Sequence, residues 1–197
     1  MNYIIKVMGY RGEVLSYCTK RVCGIWFCII GVTILLATIL GGNLCVNPPI
    51  FLLGYGIGFY CCYGNRKLIF DQLAQGTQSP FQKKTSNIAV DAIIIMGTVI
   101  GMTAWITKIN PRTIWLLMFL AVGIHFCFFY FVHGRLVVFL GVFGVALAIV
   151  GLLVSQIPFP VFGTIDGASK IAVGIYFFFF SKVTNNRKES YYINYAK

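Results

Sequence analysis

Polar side chains almost vanish from six stretches of this chain: about 22–41, 47–64, 87–106, 113–132, 136–155 and 161–181. A bilayer core of ~30 Å needs about 20 mostly apolar residues in a helix, so each stretch predicts one membrane-spanning helix. Helix-breaking and polar residues separate them. Gly41-Gly42-Asn43 and Asn47-Pro48-Pro49 lie between the first two, Asn110-Pro111 between the third and fourth, and Pro158-Phe159-Pro160 before the last. His133-Gly134-Arg135 forms a tight polar turn between the fourth and fifth. The second stretch is the shortest and the richest in glycine. The pattern predicts an all-α integral membrane protein, a six-transmembrane-helix bundle forming a single domain over residues 22–181.

Composition removes the soluble alternatives. The 197 residues are 58% hydrophobic and only 11% charged, with a mean hydropathy of +0.83. A soluble domain carries roughly 25% charged residues to solvate its surface. The formal net charge of +11 reads as orientation rather than as a nucleic-acid surface, because cytoplasmic loops collect Lys and Arg. If six helices alternate, Lys6, Arg11, Lys20, Arg21, Arg66, Lys67, Lys83, Lys84, Arg135, Lys182, Arg187, Lys188 and Lys197 share one side. Only Lys108 and Arg112 fall on the other, and Lys170 lies within the last stretch. Both the N and C termini are therefore expected in the cytoplasm.

Residues 1–21 read as a cytoplasmic, interfacial amphipathic segment, with Lys6, Glu13 and Lys20 on one face, or equally as a partly ordered basic tail. The first apolar run reads as a retained signal anchor. Residues 182–197 form a basic cytoplasmic tail. Anionic lipid headgroups are the simplest partner for Lys83 and Lys84 in the loop 65–86.

Seven cysteines are present, without a CxxC and without Cys/His pairs at metal-ligand spacing. They read as small apolar packers, and no metal or cofactor is expected. Three GxxxG spacings, Gly54/Gly58, Gly97/Gly101 and Gly163/Gly167, mark places where two helix backbones can approach closely. The tetrad Gly-Ile-x-Phe recurs at Gly56, Gly123 and Gly174. It suggests three related helical hairpins, or chance in a chain rich in these residues.

Ionisable groups at membrane depth cost about 2.5–3.5 kcal/mol each on insertion scales and so call for a reason. Four form the candidate intramembrane polar site: His125, Asp166, Lys170 and Asp91. Asp166 and Lys170 have the i, i+4 spacing of a helical ion pair. They read either as a self-neutralising pair near the outer interface or as the lining of a cavity. His125 reads either as a neutral ring bonded to a neighbouring carbonyl or as a proton relay. Asp91 is expected at the inner interface beside a loop lysine, and His133 is expected to face water. The chain has no HExxH, no GxSxG and no paired carboxylates, so an enzyme is not the favoured reading.

Several short segments carry a resemblance: Arg21-Val22-Cys23-Gly24, Gly54-Tyr55-Gly56-Ile57-Gly58-Phe59, Gly123-Ile124-His125-Phe126, Phe131-Val132-His133-Gly134, and Ile165-Asp166-Gly167 with Lys170. In these the chain resembles a family of small bacterial multi-span membrane proteins of unknown function. The resemblance implies a bacterial plasma membrane and supplies no activity. Two functional classes stay open. One is a small permease or transport-associated protein built on the polar site. The other is a non-transporting sensor, immunity or stress protein, or assembly subunit acting through helix packing as a homo-oligomer or with a membrane partner.

Overall fold

The structure, a computed structural model, describes Tyr10 and residues 17–181. Most of the amphipathic segment expected over residues 1–21, and all of the basic tail 182–197, lie outside these residues. The described part is all-α. Its main helices are α1 (Lys20–Ile39), α2 (Pro48–Phe59), the short α3 (Phe70–Leu73), α4 (Pro80–Thr107), α5 (Pro111–Phe128), the short α6 (Tyr130–His133), α7 (Arg135–Leu153) and α8 (Phe159–Phe180). Five of them, α1, α4, α5, α7 and α8, are long and apolar enough to cross a membrane.

The second expected span is helical but different in kind. Its 12 residues of α-helix run on into a π-turn of five, Tyr60–Gly64. The Pro48-Pro49 start and Asn47, whose side chain accepts from the Ile50 N–H, fix where it begins. The third helix starts earlier than expected, at Pro80. Ser79 and Gln82 form a reciprocal capping box there, which satisfies otherwise orphan backbone N–H groups.

Two clusters of buried side chains make the core, and both draw on the same four helices. One joins Ile30, Ile34, Leu116, Phe119, Ala148 and Phe162. The other joins Cys23, Phe27, Phe126, Val137, Leu140 and Phe177. Thus α1, α5, α7 and α8 surround the core. α2 lies against α1, with Phe51 reaching Trp115 of α5 at 4.9 Å between ring centres. α4 packs on the far side of α5.

The most extensive pairings are α1 with α8 and α5 with α7, neither of them one of the three hairpins suggested by the repeated tetrad. Glycine explains both. A Cβ on Gly24 would sit 2.7 Å from the Gly174 carbonyl oxygen, and one on Gly31 2.6 Å from that of Gly167. The α5–α7 crossing has the same reciprocal contact, with a Cβ on Gly123 falling 2.7 Å from the Gly141 oxygen. Backbones this close gain dispersion contacts, which do the work in lipid that hydrophobicity does in water.

Candidate functional site

Asp166 and Lys170 lie one turn apart on the core-facing side of α8, and their side chains are each 4% exposed. The Lys170 Nζ donates to Asp166 Oδ1. It also stands 5.8 Å from the centre of the Phe119 ring and 5.9 Å from that of Phe126, within the range of a cation–π attraction. The second carboxylate oxygen, Asp166 Oδ2, is buried with no hydrogen-bond partner among the described residues, as is Thr38 Oγ1. The pair sits enclosed among aromatic rings, because α1 and α5 cover that face of α8.

His125 points the other way. Its Nδ1 lies 2.7 Å from the Ala89 carbonyl oxygen of α4, and its ring meets Phe129 edge-on at 5.0 Å. Adjacent residues on a helix diverge by about 100°, so Phe126 faces the lysine while His125 faces α4. Asp91 is on a third surface. It is exposed on α4 and makes no ion pair with any described residue. The structure therefore joins Asp166 to Lys170 and leaves His125 and Asp91 apart from them. A small cavity is lined by Cys18, Arg21, Leu73, Gln75 and Ser181, and none of the four polar residues borders it.

The glycine spacings also divide. Gly54 abuts the Thr33 side chain and Gly58 abuts Ile29, both on α1. Gly163 abuts Thr38, and Gly167 abuts Leu35 and the Gly31 oxygen. Gly101 has open space where a Cβ would be, and Gly97 has only the end of Met118 at 3.8 Å.

Two polar residues outside the candidate site, Arg112 and Gln82, hold helices together. Arg112, at the start of α5, donates to the carbonyls of Ile157, Gly151 and Val154 at 2.6, 2.8 and 3.0 Å. A cation at the C-terminal end of α7 answers both its orphan carbonyls and its dipole. Gln82, 1% exposed, donates to the Phe131 carbonyl at 2.9 Å. His133, expected to face water, is only 7% exposed and its Nδ1 has no partner among the described residues. Burial, helped by the charge of Lys20 and by His125, pushes its imidazole down to about 3. The only advance sign of any of these was a polar residue at the edge of an apolar run, which reads equally well as solvated.

The family model described as a family of unknown function (DUF6609) matches residues 10–187. The chain belongs to this family. The matched part of this DUF6609 protein contains all four candidate polar residues and all three GxxxG spacings. No curated protein and no solved structure matches the chain.

Proposed function

We propose that this DUF6609 protein is a six-span protein of a bacterial plasma membrane, with both termini cytoplasmic, that acts as an assembly subunit through helix packing. The sixth span is α2 with its π-turn, a helical run of roughly 25 Å at ~1.5 Å per residue, at the short end of what a bilayer core accepts. The observation that carries the reading is α4. Its 28 residues bury only Phe81, Gln82, Thr85 and Ala89, and its Gly97/Gly101 pair is the one GxxxG spacing of the three against which no described helix packs closely. A permease site would need His125 and the Asp166–Lys170 pair on one water-filled path. They are instead engaged separately, His125 by α4 and the pair by itself within α8.

The test is the size of the particle in native membranes. Solubilised gently and run on a native gel, the 22.0 kDa chain is expected in a larger complex that Gly101→Leu dissolves without lowering expression. A single chain in both cases would overturn the assembly reading.

A further inference from the structure

The face of α4 that no described residue covers is not uniformly apolar. Asn87, Asp91, Ile94, Thr98, Gly101 and Trp105 are all exposed, and at spacings of four, three, four, three and four they form a single stripe about 80° wide on a helical wheel. It lies opposite the face carrying Gln82, Thr85 and Ala89, which packs into the protein. Three of its six members are polar. Taking Trp105 as an outer-interface anchor, Asp91 lies roughly 21 Å below it at ~1.5 Å per residue. That is inside a hydrocarbon core of ~30 Å. A short carboxylate side chain cannot extend to the headgroups as lysine does, and no described residue pairs with this one. Lipid offers it no partner, whereas carboxylates within membranes ordinarily face another protein group.

We propose that this stripe docks a transmembrane helix of another protein, one that presents a Lys or Arg at the depth of Asp91 and lies close to the backbone at Gly101. Charge decides between the two kinds of occupant. A second copy packed through the same stripe would meet it about a two-fold axis, setting Asp91 against Asp91. A basic partner removes the isolated charge instead, while Gly101 permits the close approach that membrane helices use. Asn87 and Thr98 flank the acid and add hydrogen-bonding groups on either side. The inference rests on the assembly reading for its setting, but the chemistry at Asp91 is tested separately.

The full chain, labelled with a donor fluorophore, is reconstituted in phosphatidylcholine vesicles. The probes are two acceptor-labelled single-span Leu/Ala helices, identical except for one Lys or Leu at the level of Asp91. The Lys helix is expected to associate about tenfold more tightly than the Leu helix. Asp91→Asn should erase that ratio, and Gly101→Leu should weaken both probes alike. Equal binding of the two helices to the wild-type chain overturns the proposal. So does self-association of the chain that neither probe displaces. In native membranes, a complex lost with Gly101→Leu but kept with Asp91→Asn would leave assembly standing and overturn the charge pairing. A lone chain in native membranes that still prefers the Lys helix in vesicles would do the reverse.

Discussion

Lys170 and Asp166 are held by burial as much as by each other. Desolvating two charges costs several kcal/mol per ion, and removing one partner leaves the other without compensation. Lys170→Met is therefore expected to lower stability by about 3–5 kcal/mol, read as a large drop in the thermal midpoint in detergent. The double change Asp166→Leu with Lys170→Met should recover most of it. A double variant as unstable as the single one would mean that the pair does more than neutralise itself. The spacing of the two residues was legible in the sequence. Their enclosure was not, since it depends on the Phe119 and Phe126 rings brought across from α5. His133 shows the same limit. Its folded imidazole is held near 3, against an ordinary value of about 6.5 in the unfolded chain. Its contribution to stability is complete above pH ~6.5 and is lost as pH falls from there towards about 3, because only the unfolded state then takes up the proton. Melts recorded across that window should lose part of their pH dependence in His133→Leu. An unchanged slope would place the acid sensitivity elsewhere.

At the scale of helices, glycine has two roles that spacing alone does not separate. Gly31 lies against the Gly167 carbonyl across α1 and α8, so a larger side chain must push two backbones apart. Gly31→Leu is expected to destabilise by about 1–3 kcal/mol or more, the usual range for overpacking. Gly101→Leu, facing open space, should leave the melt of the isolated chain within about 0.5 kcal/mol of wild type. Comparing the two melts checks the assignment, and equal losses would contradict it. The glycine-on-glycine contacts between α1 and α8, Gly24 with Gly174 and Gly31 with Gly167, lie seven residues apart rather than four. A search for GxxxG finds only one member of that set. Arg112 belongs to this scale too. Read as charge, it is an exception to the one-sided distribution of basic residues; read in place, it closes the open end of α7.

For the whole molecule, topology is the property on which the other readings rest. An impermeant maleimide applied to intact cells should label Cys45, in the turn between α1 and α2, and should reach Cys18 only after the membrane is opened. Peptide mapping of the labelled thiols provides the check. Labelling of both from outside, or of neither until lysis, would break the six-span arrangement. The apolar runs and their breakers by themselves determined the helical elements, since a helix in lipid must satisfy its own backbone and so declares itself locally as an unbroken greasy stretch. They did not determine which helices are neighbours, because apolar faces look alike to the sequence whether they meet lipid or protein. Only the tertiary structure decided that α1 joins α8, that the Asp166–Lys170 pair is enclosed while His125 turns to α4, and that Asp91 is left facing outward. Those outcomes follow from contacts between residues far apart in the chain.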